Sequence, residues 1–255
     1  MAAAPTFDEL LAEGDAVPVE GWDFSWFEGR ATEERPAWGY SRLLAERMAS
    51  ATAALDIQPG GGEVLAQLPH PPPVLAATES WPPNIEIARR NLAPLGASVV
   101  EAGDLADLPF RAESFDLVVS RHPTDVRWDE IARVLRPGGT YLSQQIGAGT
   151  NRELYEFMMG PQPADPERMP QAAFIEAAAG AAGLVMVDLK EQALRVVFND
   201  VAAVVYFLRK VLWTVPGFTV DGYRDRLALL HDRIQSEGPF VAHSRRVLIE
   251  ARKPR

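Results

Sequence analysis

The chain has 255 residues, 47% of them hydrophobic, enough to bury one substantial core. Its net charge of −10 speaks against a polyanion as main partner, because nucleic-acid binding needs Lys and Arg to neutralise phosphates. With no cysteine, disulfides, thiolate metal sites and a cysteine nucleophile are excluded.

The opening Met-Ala-Ala-Ala-Pro-Thr-Phe-Asp-Glu has neither a basic nor an apolar signal region, and no apolar run approaches a membrane span. A cytoplasmic protein without membrane contact is expected. Residues 6–13 read as a short acidic helix. Trp22, Phe24, Trp26 and Phe27 then crowd between glycines, either packed on the core or forming a lid over a ligand. Residues 37–50 read as a helix. From there strands at 53–56, 74–78, 98–101, 115–120 and 140–145 alternate with helices at 62–68, 83–92 and 125–135. The last of these helices ends at Arg136-Pro137-Gly138-Gly139. Such alternation predicts parallel βαβ units in a doubly wound α/β sheet, with ligands held beyond the carboxyl ends of the strands.

The second half predicts helices at 151–159, 171–182, 199–212 and 220–236, with strands at 184–189 and 246–251. The expected architecture is one domain over 1–255 with a mostly parallel, seven-stranded sheet. Residues 1–50 form an N-terminal helical and aromatic lid, 51–190 and 240–255 the core sheet, and 191–239 a helical insertion before the last strand.

The densest signal is Leu55-Asp56-Ile57-Gln58-Pro59-Gly60-Gly61-Gly62-Glu63. An apolar strand ends in an acid, and three glycines then let bare backbone approach a small ligand. The acid stands before the glycines, and a second, Glu79, follows at the end of the next strand. Acids on both sides of the glycines suit a ligand carrying an ammonium group and a ribose.

Four further segments follow in order: Ala77-Thr78-Glu79-Ser80, Gly103-Asp104-Leu105-Ala106-Asp107-Leu108-Pro109-Phe110, Ser114-Phe115-Asp116-Leu117-Val118-Val119, and Arg133-Val134-Leu135-Arg136-Pro137-Gly138-Gly139. With the glycine segment they resemble the class I S-adenosylmethionine-dependent methyltransferases, of the methyltransferase-domain type, over about residues 53–147. The resemblance implies S-adenosylmethionine as cofactor. Asp56 would organise the loop receiving its methionine part, and Gly60 and Gly62 would let the backbone approach it. Glu79 would accept from both ribose hydroxyls, Asp104 from the adenine amino group, and the Leu105 backbone N–H would lie near a ring nitrogen. Gln58 stands where the family usually has its first glycine, so the tight turn is expected to fall on Gly61.

Methyl transfer from a sulfonium is an in-line displacement that depends on alignment and exclusion of water. His122, after the strand ending at Ser120, is the candidate general base, and Arg121 the candidate for orienting an anionic substrate. The alternative is that Arg121 pairs with a local acid and His122 caps a loop. Trp22, Trp26, Phe27, Tyr206 and Trp213 are candidates for the substrate pocket, with core packing as the alternative, as is Gln145 or its neighbour Gln144, with sheet packing as the alternative. No metal site is expected from His70, His231 or His243. The Asn/Asp-Pro-Pro-aromatic motif of many nucleic-acid amino methylases is absent.

The expected activity is methyl transfer to an O, N or C atom of a small, partly apolar molecule. The rivals are a binding or scaffold protein that has kept the fold without methylating, and an RNA methyltransferase. No DNA partner is expected, RNA is disfavoured by the charge, and a homodimer is compatible with the sequence.

Overall fold

The computed structural model describes residues 5–19, 24–163 and 172–255. Helix α1 (Phe7–Ala16) opens on a reciprocal capping box between Thr6 and Glu9. A 3-10 turn over Ser25–Phe27, strand β1 (Ala31–Glu33) and helix α2 (Tyr40–Ser50) follow. Then come β2 (Ala53–Ile57), β3 (Val74–Glu79), α3 (Pro82–Leu92), β4 (Ser98–Glu101), β5 (Phe115–Arg121), α4 (Trp128–Val134) and β6 (Leu135–Ile146). The remainder is α5 (Arg152–Met159), α6 (Ala172–Ala181), β7 (Val185–Phe198), α7 (Val201–Lys210), α8 (Arg224–Glu237) and β8 (Phe240–Arg252). Among the described residues no helix is long and apolar enough to cross a membrane.

The strands form one sheet in the order β1-β7-β8-β6-β5-β2-β3-β4. β2 pairs parallel with β3 and β5, β3 with β4, and β5 with β6. β8 runs antiparallel to β6, and β1 antiparallel to β7. The mostly parallel, doubly wound class is as expected, but the sheet has eight strands rather than seven. The added strand is β1, whose three residues are too few to show a period; pairing of Ala31 with Phe198 and Glu33 with Val196 creates it. β7 also outruns its expected end at 189, because Leu194, Val196 and Phe198 alternate inward along a continuing strand.

A second correction concerns residues 62–68, expected to be helical. Gly60 and Gly62 both take left-handed backbone, which no α-helix contains, so a turn replaces the first part and only a 3-10 turn over Leu65–Gln67 remains.

The chain divides into two compact units. One comprises Pro36–Ala148, Pro166–Gln192 and Arg246–Arg255. It has a core on each face of the sheet, one built around Leu55, Ile131, Leu135 and Ile249, the other around Leu44, Met48, Leu92 and Leu142. Fully buried side chains of this size each contribute roughly 1.5–3 kcal/mol. The other unit comprises Met1–Arg35, Gly149–Asp165 and Ala193–Arg245. Its core joins Leu10, Leu154, Val205, Leu208, Leu227 and Leu230. Here Gly14 is required, because a Cβ would stand 2.5 Å from the Ala202 carbonyl oxygen. Asp200 caps α7 by accepting from the Ala203 N–H at 2.8 Å, and Arg30 pairs with Asp200 at 3.2 Å.

In the first-described unit the chain steps from β2 outward through β3 to β4, then returns to β5 on the other flank of β2. This reversal opens a crevice at the carboxyl ends of β2 and β5. The residues that end these strands are the ones singled out in the sequence.

Candidate active site

The β2 strand delivers Asp56, buried, to the edge of the crevice, with Oδ1 unpartnered. Burial and then the nearby Glu79 carboxylate raise its pKa to about 8, against the opposing pull of Arg121. Asp56 is therefore mostly neutral at pH 7. The loop that follows turns through three left-handed residues, Gln58 (φ 58°), Gly60 (φ 64°) and Gly62 (φ 75°). Gly61 is not among them, so the turn expected there falls on Gln58 itself. Gly62 is further constrained, because a Cβ would lie 2.9 Å from Leu92 Cγ on α3.

β3 ends at Glu79, also buried, whose Oε1 accepts from the backbone N–H groups of Ser80 (2.9 Å) and Trp81 (3.1 Å). The carboxylate is thereby held in one rotamer at the strand end. After β4, Asp104 presents Oδ2 to the Thr124 hydroxyl at 2.8 Å, while its Oδ1 is buried without a partner. Leu105 has an exposed side chain, and its carbonyl accepts from Arg127 at 2.6 Å. Thr124, beyond β5, also donates its backbone N–H to Gln58 Oε1 at 2.7 Å. Gln58, Thr124 and Asp104 thus form a chain of side-chain contacts linking the loops after β2, β5 and β4.

His122 follows β5 in left-handed backbone, its N–H bonded to the Gln144 carbonyl at 2.7 Å. The side chains fix its proton. Trp38 Nε1–H, which can only donate, reaches Gln144 Oε1 at 2.9 Å. The Gln144 amide nitrogen must then be the group 3.1 Å from His122 Nε2, and it donates. His122 Nε2 is consequently an acceptor, and a neutral ring carries its proton on Nδ1. Burial, then the cations Arg121 and Arg246, push the imidazole pKa down to about 3. A general base needs a free lone pair facing its substrate; here the Nε2 lone pair is committed to Gln144. The arrangement offers a hydrogen-bond donor instead.

Gln145, expected in the substrate pocket, is buried, and its amide donates to Ser143 Oγ at 3.4 Å. Ser143 lies within a buried hydroxyl network, with Ser120 Oγ 2.9 Å from Ser143 Oγ and 2.8 Å from the Tyr141 hydroxyl. Trp26, Phe27 and Tyr206 belong to the other unit. There the Trp26 and Phe27 rings meet Tyr206 edge-on at 5.1 and 5.0 Å. Trp213 is in the same unit with an exposed indole, and Trp22 lies outside the described residues. The structure therefore gathers Asp56, Gly60, Gly62, Glu79, Asp104, Arg121 and His122 in one unit. It adds Gln58, Thr124 and Trp38, which sequence reasoning did not assign to the site, and Gln144, which had been weighed beside Gln145. Of the three, Gln58 carried a signal, as a bulky residue among glycines.

Residues 55–143 match the family model described as a methyltransferase domain. Three solved structures share the fold. The YcgJ protein of Bacillus subtilis is 19% identical, with 85% of this chain and 98% of that chain covered and a TM-score of 0.58. The [4+2]-cyclase SpnF is 17% identical, with 98% of each chain covered and a TM-score of 0.51. Phosphoethanolamine N-methyltransferase 2 of Haemonchus contortus, solved with phosphomonomethylethanolamine and S-adenosylhomocysteine, is 16% identical. That comparison covers 86% of this chain and 53% of that chain, with a TM-score of 0.52. A comparison with curated protein sequences gave no match. Residues 55–143 are thus similar to the methyltransferase-domain family, and the fold around them is the one these solved structures share.

Proposed function

We propose that this protein transfers a methyl group from S-adenosylmethionine to a small, partly apolar molecule. The observation that carries this reading is the set of buried, unpartnered polar atoms at the switch-point crevice: Asp56 Oδ1, Gln58 Nε2 and Asp104 Oδ1. Unmade bonds of this kind each cost about 1–3 kcal/mol, and a polar ligand would supply the missing partners. The cofactor's contribution when bound is an electrophilic methyl on a sulfonium.

The remaining work falls to the chain's own residues. Asp56 and the Gly60–Gly62 turn receive the methionine part, Glu79 takes the ribose hydroxyls, and Asp104 with the Leu105 backbone takes the adenine edge. The His122 Nδ1–H and the exposed Arg121 guanidinium offer donors to an oxygen of the methyl acceptor, fixing its approach. Catalysis in this reading rests on alignment rather than on proton removal by His122.

One observation favours a second reading, a binding protein that no longer methylates: Asp104 Oδ2 is already taken by Thr124. Incubation with methyl-labelled S-adenosylmethionine separates the possibilities, using a panel of small phenols, amines and carboxylates beside total RNA. Label in a small molecule supports the proposal. Label in RNA contradicts the acceptor class, and cofactor binding without transfer to any member of the panel favours the second reading.

A further inference from the structure

Gln58 occupies left-handed backbone, at φ 58°, that a glycine would fill without strain. A side chain held there costs roughly 1–2 kcal/mol. Strain of this sort gathers at sites where the surroundings enforce it for a ligand. The orientation of the amide is fixed, because the Thr124 backbone N–H can only donate and reaches Oε1 at 2.7 Å. Nε2 is thereby turned the other way, where it is buried and has no partner. The strained backbone and the unmade hydrogen bond fall on the same residue, in the crevice at the switch point.

We propose that Gln58 is a cofactor-binding residue whose amide Nε2 donates a hydrogen bond to an acceptor atom of the bound S-adenosyl group. The inference rests on the reading that S-adenosylmethionine fills the crevice. The partner is an acceptor, which means the carboxylate, a ribose oxygen or a ring nitrogen, and not the ammonium, which can only donate. A glycine at this position has no such group, so the contact separates this chain from relatives that keep the glycine. It also explains how a turn with a built-in backbone penalty is retained.

Calorimetric titration with S-adenosylhomocysteine tests the proposal on wild type, Glu79→Ala, Gln58→Gly and Gln58→Glu, with thermal unfolding of each unliganded protein. Gln58→Gly should weaken binding about tenfold, the loss of one hydrogen bond, while its melting temperature stays within about 2 °C of wild type or rises as strain is released. Gln58→Glu keeps the acceptor toward Thr124 but turns a carboxylate oxygen toward the ligand, so it should weaken binding by about a hundredfold. Wild-type binding that is lost in Glu79→Ala but undiminished in Gln58→Gly overturns this inference alone. Tighter binding by Gln58→Glu also overturns it, since it would assign a donor to the ligand. A wild type that does not bind overturns the cofactor reading and this inference together.

Discussion

At the scale of single residues, two groups have environments far from water, and both make predictions in pH. Asp56 is raised to about 8 in the folded state by burial and by Glu79. Its unfolded value is about 3.9. Between these values the folded protein holds a proton that the unfolded chain has released, so stability falls as pH rises from about 4 to about 8. Asp56→Asn removes that slope. Melting curves across this range should show the variant gaining on wild type with rising pH, by about 1.4 kcal/mol per pH unit at most. Parallel pH profiles for the two proteins would contradict the assignment.

His122 behaves oppositely, being held neutral by burial and by Arg121 and Arg246, with Gln144 occupying Nε2. Nitrogen-15 spectra should show Nδ1 protonated and Nε2 bare from pH 5 to 8. Gln144→Leu, which deletes the donor to Nε2, should mix the two tautomers. An imidazole titrating near its ordinary value of about 6.5 in wild type would refute the Trp38–Gln144–His122 relay.

At the scale of elements, the glycine turn matters as much for packing as for the ligand. Gly62 combines φ 75° with a Cβ position that meets Leu92 at 2.9 Å, so the turn and α3 approach as closely as glycine permits. Gly62→Ala should lower stability by about 2–4 kcal/mol in urea unfolding, from left-handed strain and overpacking together. A smaller tie holds the start of β2 to β5. Asp116 accepts from the Thr52 N–H at 3.0 Å and the Ala53 N–H at 3.1 Å. Burial works to raise its pKa, but these bonds, the Thr52 hydroxyl and Arg136 outweigh it and hold the carboxyl below its usual range. Asp116→Ala should cost about 2 kcal/mol by the same measurement, and a neutral substitution would show that the strand start is anchored elsewhere.

The alternation of apolar runs and turn residues made β2, β3 and β5 legible, because their interiors are buried; β6 instead starts at Leu135, before the expected residue 140, and runs through Pro137, Gly138 and Gly139, which had read as a helix end. β1 was not legible: it exists only through its pairing with β7, and no local pattern encodes for Ala31 a partner as distant in sequence as Phe198. The positions of the candidate carboxylates Asp56 and Glu79 were legible because strand ends fix where they emerge, and Asp104 follows in the loop after β4. The state of His122 was not, since its tautomer depends on Trp38, in the turn before α2, and on Gln144, in β6.

At the scale of the whole molecule, the reversal of strand order beside β2 leaves a crevice where Asp56 Oδ1, Gln58 Nε2 and Asp104 Oδ1 are buried without partners. Binding of a ligand to the folded state alone should raise stability, by about 2.7 kcal/mol at a hundredfold excess over Kd. For a chain of this size that corresponds to a melting temperature higher by about 5–10 °C. The measurement closest to the central claim is calorimetric titration of wild type and Glu79→Ala with S-adenosylmethionine. Micromolar binding by wild type, weakened at least tenfold when the ribose carboxylate is removed, is the predicted result. A wild type that takes up no cofactor, or a Glu79→Ala variant that binds it equally well, would contradict the account.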